Sequence, residues 1–277
     1  MTVIEQSDRL HHLQHRIAHI RRNSDSLPEA TVAIPVNAQA DLENVFCLLE
    51  DITTYTGRYA IEIVLVINNY PSDNPPEAIQ AFESLGIRVV SIANVRKQGE
   101  PASFTARMHG VHAAKSEVII SFDADCRVPN ATAVLDWYIE QFQRGADTAY
   151  THVDYYDLQP GLTIQLRIFT HHASRWAKRR LMGIPTTRGS NYAVRRSFVL
   201  PLYDQRFLAD EMNVGPTVKK KGGRIVYSGR KQLRVLTSGR YLKGGWREML
   251  RYFMYRLRYN IRVLPVSKDA AAHTKRR

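Results

Sequence analysis

Cysteine is scarce in this chain, which holds two, Cys47 and Cys126. Two cysteines cannot build a disulfide framework or a zinc knuckle, and the expectation is a pair of thiols in a reducing compartment. Long apolar runs are absent too: none approaches the ~18 residues that cross a bilayer. The opening residues, MTVIEQSDRLHHLQHR, have no apolar centre of the kind a secretory signal needs. The expected location is therefore cytoplasmic, either free or peripheral on the cytosolic face of a membrane. Acids are outnumbered, 26 Asp+Glu against 39 Lys+Arg, for a net charge of +13. From His171 to Leu200 there are seven basic residues and no acid. Such an excess suits nucleic acid, anionic lipid or phosphorylated small molecules, and charge alone does not choose among them. Apolar residues are not short. At 44% of 277 residues they exclude a disordered chain and suffice for a core without covalent staples.

The apolar pattern divides the chain. Leu10, Leu13, Ile17 and Ile20 form one stripe of an N-terminal helix over residues 1–24. His11, His15 and His19 lie four apart on another side of it, a metal site or, as favoured here, a solvated face. Asn23 to Pro28 breaks the helix, so residues 1–28 read as a helical extension. Strands are then expected at Thr31–Val36, Ile61–Ile67, Arg88–Ile92 and Glu117–Phe122. Helices are expected between them: from a cap at Asp41 to about Thr54, over Pro75–Leu85, and over Ala102–Ala114. Nearly continuous apolar strands alternating with helices imply a mostly parallel sheet covered on both faces, a three-layer α/β/α sandwich. Further on, the pattern predicts a strand over Thr148–Tyr155 and a helix over Ile164–Leu181 with a basic end. A strand or turn follows at Gly189–Val194, a short helix at Asn213–Lys221 and a strand at Arg224–Tyr227.

Three segments carry chemistry. Asp123-Ala124-Asp125 lies just past a buried strand, at the end where open α/β sheets bind ligands. Paired carboxylates there suit a hard divalent cation held jointly with substrate phosphates, or else cap a turn. Asp210-Glu211 opens the short helix, as a general base or as acids favoured by the helix dipole. Gly189-Ser190-Asn191 would let a ligand approach the backbone, or make a tight turn before a strand.

In order and spacing, from about Thr31 to Tyr227, these pieces resemble glycosyltransferase family 2, the inverting nucleotide-sugar transferases of the GT-A (Rossmann-like) fold. Ala33-Ile34-Pro35-Val36-Asn37 looks like the family's first strand and nucleotide-contacting turn, and Glu62 to Asp73 like its second strand and the turn facing the base. Gly99, Ala106-Arg107 and Gly110 match the segment before the metal motif, and Asp123-Ala124-Asp125 stands at the DxD position. The segment Gly189–Arg196 is similar to the acceptor-side loop, and Asp210-Glu211 to the acidic pair that includes the base. The resemblance implies Mg²⁺ or Mn²⁺ on Asp123 and Asp125 and a nucleoside diphosphate sugar as donor. It implies donor contacts from Pro35, Asn37, Asn68, Arg107 and Asp123, and a catalytic base at Glu211 with Asp210 beside it. The chain departs from the family pattern at Asn68, where an acid usually stands, and in the Asp-Glu order of the pair. Thr237-Ser238-Gly239-Arg240 resembles a downstream motif whose arginine, Arg240, reaches the diphosphate. The implied acceptor is a saccharide or a lipid-linked sugar, and the implied catalytic unit is 29–235, with the nucleotide-sugar half ending near residue 150.

Residues 236–277 form the remainder. Trp246, Leu250, Phe253, Leu257, Ile261 and Leu264 make an apolar stripe on a helix over Gly245–Leu264, and Arg240 to Arg262 contributes seven basic residues against one acid, Glu248. An interfacial helix on an anionic membrane fits this pattern. So does a helix packed on its own domain, or a homodimer seam. Two rivals to the family reading are weaker. A sugar-1-phosphate nucleotidyltransferase would need a glycine-rich basic loop after the first strand, where Pro35-Val36-Asn37-Ala38-Gln39 stands instead. A nucleic-acid-binding protein would need a recognisable module, and none is present, so no nucleic-acid partner is expected.

Overall fold

The structure, a computed structural model, describes residues 13–20, 27–72, 74–93, 101–159, 161–181, 183–185, 187–243, 246–247, 250–251 and 254. Helix α1 covers residues 13–20. Its stripe residues Leu13, Ile17 and Ile20 join the main hydrophobic core, whereas His15 and His19 are exposed; His11 lies outside the described residues.

Strand β1 (Ala30–Asn37) and strand β2 (Ile61–Asn68) are almost wholly buried, as their unbroken β-branched runs require of strands covered on both faces. They pair in parallel from Ala30 opposite Ile61 to Asn37 opposite Asn68. Helix α2 (Leu42–Ile52) joins them, burying Val45, Phe46, Leu48, Leu49 and Ile52. Asp41 occupies its N-cap position, but its side chain makes no capping hydrogen bond. The expectation of a cap is thereby corrected, and Asp41 lines a cleft instead. Helix α3 (Ala78–Ser84) leads to β3 (Arg88–Ile92), and α4 (Ala102–Ala113) to β4 (Val118–Phe122). Helix α5 (Ala131–Gln143) starts at Asn130, whose side chain accepts a hydrogen bond from the Ala133 amide at 3.0 Å.

The segment expected as one strand over Thr148–Tyr155 is two. Strand β5 (Thr148–Thr151) belongs to the main sheet, and β6 (Val153–Tyr155) pairs in parallel with β9 (Val235–Thr237) in a separate ribbon. The chain leaves the main sheet at His152, whose carbonyl accepts from the Val235 amide at 3.0 Å. Then come α6 (Leu162–Arg180), β7 (Asn191–Arg195), α7 (Arg196–Asp204), α8 (Glu211–Lys220) and β8 (Ile225–Ser228), and α9 (Arg240–Lys243) follows β9. Helix α7 was not foreseen. Among the described residues of the expected C-terminal helix, 246–247, 250–251 and 254 are helical, and the rest of that stripe lies outside them.

The seven-stranded sheet has the order β3-β2-β1-β4-β7-β5-β8. Its pairings are parallel except those of β7, which runs antiparallel to both neighbours. Residues of α1, α2, α3 and α5 pack in the core on one face, and residues of α4, α7 and α8 in the core on the other. This is the three-layer α/β/α arrangement with a mostly parallel sheet. Strand order reverses between β1 and β4, and a crevice at such a switch point, beyond the carboxyl ends of the strands, is where open sheets hold ligands.

Candidate active site

Register sets the site. Ala33 lies opposite Ser121, so the Asp123 turn leaves β4 level with Pro35 on β1. Asn191 lies opposite Phe122, so the Gly189-Ser190 turn before β7 meets the same strand end. Helix α8 opens at Glu211 across the other face. These ends enclose a cavity of about 650 Å³. It is lined by the residues named above as donor, metal and catalytic contacts: Pro35, Asn37, Asn68, Arg107, Asp123, Asp125, Asp210, Glu211 and Arg240.

Arg107 joins the two acidic clusters. Its Nη2 donates to Asp123 Oδ1, and its Nη1 lies 3.5 Å from Glu211 Oε1. Its side chain is 2% exposed. Burial works against its charge, but Asp123 and Glu211 outweigh that and hold the guanidinium above its ordinary range. Space for it depends on Gly189: a β-carbon there would fall 2.6 Å from Arg107 Nη2. Glu211 is further held by Ser103 Oγ, which donates to Oε1 at 3.0 Å. Thr187 donates from Oγ1 to the Glu211 carbonyl at 2.9 Å and accepts from the Gly215 amide at 3.1 Å, fixing the start of α8.

The adjacent acids differ in their surroundings. Asp210 is buried, and its Oδ1 accepts from the Met212 amide at 2.7 Å as the N-cap of α8, the helix-end role weighed for it above. Glu211 turns its carboxylate to Arg107 and Ser103.

Asp125 receives Arg240 Nη2 at 2.8 Å and Thr237 Oγ1 at 3.4 Å. Burial first, then the charge of Asp123, pushes its carboxyl up to about 6, against the pull of Arg240. The ligand atoms of Asp123, Asp125 and Cys126 lie within 4.8 Å of one another. Burial raises the Cys126 thiol well above its usual range, and its Sγ donates to the Ser190 carbonyl at 3.2 Å. The thiol is thus engaged, which leaves the Asp123 and Asp125 carboxylates, both lining the cleft, as the hard oxygen donors. That donor set fits Mg²⁺ or Mn²⁺, which take one or two carboxylates and complete their shell with water or phosphate.

At the β1–β2 end of the cleft, Asn37 Oδ1 accepts from the Gln39 amide and from Asn69 Nδ2, both at 3.0 Å. This ties the turn after β1 to the turn after β2, where Asn69 adopts φ 63°, a conformation Asn tolerates better than most residues. Asn68 is buried and donates from Nδ2 to the Val66 carbonyl at 3.3 Å. Arg188 also lines the cleft and is held by His171 Nε2 at 2.7 Å and by Tyr155 Oη at 3.3 Å. Sequence reasoning did not find Ser103 or the cleft position of Asp41. Ser103 stands two residues past Pro101 with nothing local to mark it. Gly99 and Asp73 lie outside the described residues.

The cleft at the switch point thus holds two carboxylates at the end of one strand and a third joined to Asp123 by a buried arginine, the placing of a ligand site in an open α/β fold. Residues 31–199 match the family model described as glycosyl transferase family 2. The chain belongs to this family. The search of curated proteins returns no match. Among solved structures, the mannosyltransferase PcManGT from Pyrobaculum calidifontis, in complex with GDP-Man and Mn²⁺, is similar with a TM-score of 0.50 and 14% identity. The match covers 83% of this chain and 65% of that one, so this chain spans less than two thirds of that enzyme's length. The likeness is one of fold and agrees with a GT-A architecture.

Proposed function

We propose that the protein transfers a sugar from a nucleoside diphosphate sugar to a hydroxyl of a saccharide or lipid-linked acceptor, with inversion at the anomeric carbon. The observation that carries this reading is the double contact of Arg107, which sets Asp123 and Glu211 within one side chain's reach of each other. Asp123 and Asp125 would hold Mg²⁺ or Mn²⁺, which when bound supplies charge neutralisation for the leaving diphosphate. Arg240 adds positive charge on the same side. Asn37 and Asn68 face the base and ribose, with Pro35 on β1 lining the cleft beside them. Glu211, held by Ser103 and Arg107, accepts the proton of the acceptor hydroxyl as its oxygen attacks the anomeric carbon from the face opposite the diphosphate. Asp210 is committed to capping α8 and positions Glu211. One displacement with one base gives inversion and needs no carboxylate nucleophile.

The catalytic unit is residues 29–235, with Thr237 and Arg240 reaching the cleft from just beyond it. No helix among the described residues is long and apolar enough to cross a membrane. A peripheral contact through the basic C-terminal helix is supported by Trp246 and Leu250, both exposed.

The test is a thermal-shift panel of purine and pyrimidine nucleoside diphosphate sugars with Mg²⁺ or Mn²⁺, followed by NMR of the anomeric configuration of the product. GDP-mannose comes first, given the ligand of the similar structure, and the panel spans both base types because the Asn68 amide can donate as well as accept. At a hundredfold excess over Kd the matching donor adds ~2.7 kcal/mol, a rise of roughly 5–10 °C. A panel with no shift, alongside tight salt-dependent binding of duplex DNA, would favour the nucleic-acid alternative.

A further inference from the structure

We infer that helix α6 docks the protein on an anionic lipid bilayer. A surface helix ordinarily buries its apolar stripe and leaves its charges in water, and α6 does the reverse. Its buried side chains are Arg167 and Arg175. Leu162, Leu166, Phe169 and Trp176 are 86%, 54%, 68% and 55% exposed. With Ala173 between the last two, also exposed, they recur at spacings of four, three, four and three. The result is a single outward row about 21 Å long at 1.5 Å per residue.

The inward arginines are engaged with the protein. Arg167 Nη1 donates to the Leu242 carbonyl at 2.7 Å, and its guanidinium lies 5.5 Å from the centre of the Trp246 ring. Arg175 lines, with His152, His172 and the row residues Phe169, Ala173 and Trp176, a cavity against the helix. The same contacts of Arg167 join α6 to the start of the C-terminal helix. There Trp246, Leu250 and Met254 are exposed at spacings of four. A second exposed apolar row thus stands beside the helix, and the row on α6 is a surface that no sequence motif marked.

Charge selects the occupant. Apart from the two buried arginines, α6 carries Lys178, Arg179 and Arg180 in its last turn and no acid. A second copy would bring the same positive face from a chain of net charge +13. Residues 255–277 carry seven basic residues against one acid and are poorly matched for the same reason. Anionic headgroups are the complementary surface, and Trp and Phe with basic neighbours favour the interface.

The test uses the full chain with vesicles of phosphatidylcholine alone or with about 30 mol % phosphatidylglycerol, read by co-sedimentation and tryptophan emission. Binding is expected on the anionic vesicles only, weakening with salt and accompanied by a blue shift. The double variant Phe169→Ser/Trp176→Ser is expected to bind at least about tenfold more weakly. Leu162→Ser/Leu166→Ser, at the opposite end of the row and away from the cavity that Phe169 and Trp176 line, should act likewise. Lys178→Glu/Arg180→Glu should remove most of the salt-sensitive part. Failure of the wild type to bind anionic vesicles would overturn the inference, as would undiminished binding by both apolar variants. So would a lipid-free dimer that the same serine substitutions dissolve. The readouts need no turnover, so the outcome is independent of the transfer reaction.

Discussion

Replacing Arg107 with Met keeps the length of the side chain and removes its charge. Arg107 makes two charge-assisted contacts, to Asp123 and Glu211. Such a contact is worth about 1.5–3 kcal/mol when buried. Here the Asp123 side chain is 37% exposed, and the Glu211 contact is long at 3.5 Å. Solvent screening and the relieved burial of the guanidinium bring the net loss down to about 2 kcal/mol. For a chain of this size that lowers Tm by roughly 4–8 °C. The larger effect falls on turnover. Glu211 and Asp123 lose their shared anchor and repel each other, and a misplaced base costs on the order of a hundredfold in kcat. Arg107→Lys supplies a point charge that satisfies one carboxylate at a time and should fall between wild type and Arg107→Met. Steady-state kinetics and thermal denaturation read both effects. An Arg107→Met protein with wild-type kcat and wild-type Tm would refute the reasoning.

Two further outcomes follow from the geometry. Gly189→Ala puts a β-carbon 2.6 Å from Arg107 Nη2 and 3.0 Å from its Cζ, so the guanidinium must shift. We expect a smaller version of the Arg107 defect, about tenfold in kcat with about 1 kcal/mol of stability, and an unchanged kcat would show that the arginine has room to move. Burial first, then the charges of His152 and Arg175, pushes the His172 imidazole down from 6.5 to about 4. The neutral ring is the folded form, so this group's contribution is whole above pH 6.5 and is lost as pH falls towards 4. Thermal midpoints across that range should decline less steeply for His172→Gln than for wild type, and parallel curves would contradict the assignment.

The sheet from β1 to β4 was legible because its strands are buried on both faces, so Ile61 to Ile67 reads as an unbroken apolar run. The cleft was legible because Asp123-Ala124-Asp125 directly follows such a run. The acceptor-side half hid its elements for physical reasons. Strands β6 and β9 have three residues each, too few for a period to register. Helix α7 begins at Arg196, next to Arg195, and contains Pro201, which reads as a break. His152, where one expected strand divides in two, is marked only by its carbonyl pairing with Val235, a contact 83 residues away in the chain. Asp41 looked like a helix cap because cap residues and cleft acids share a chemistry, and only the fold shows which way the carboxylate points. Helix α6 showed its extent and its basic end in the sequence, but not its exposed row. Periodicity says that two faces exist, but it does not say which of them faces the protein.

The central claim is that the acids at the carboxyl end of β4 serve donor binding and that Glu211 serves transfer. Titrating the matching nucleotide sugar into wild type, Asp125→Asn and Glu211→Gln in the presence of Mn²⁺, with single-turnover transfer measured on the same samples, separates the two roles most directly. Glu211→Gln is expected to bind donor within about twofold of wild type and to lose transfer by a factor on the order of 10³, while Asp125→Asn loses the metal-dependent part of donor binding. Wild-type transfer by Glu211→Gln, or undiminished Mn²⁺-dependent binding by Asp125→Asn, would contradict the claim.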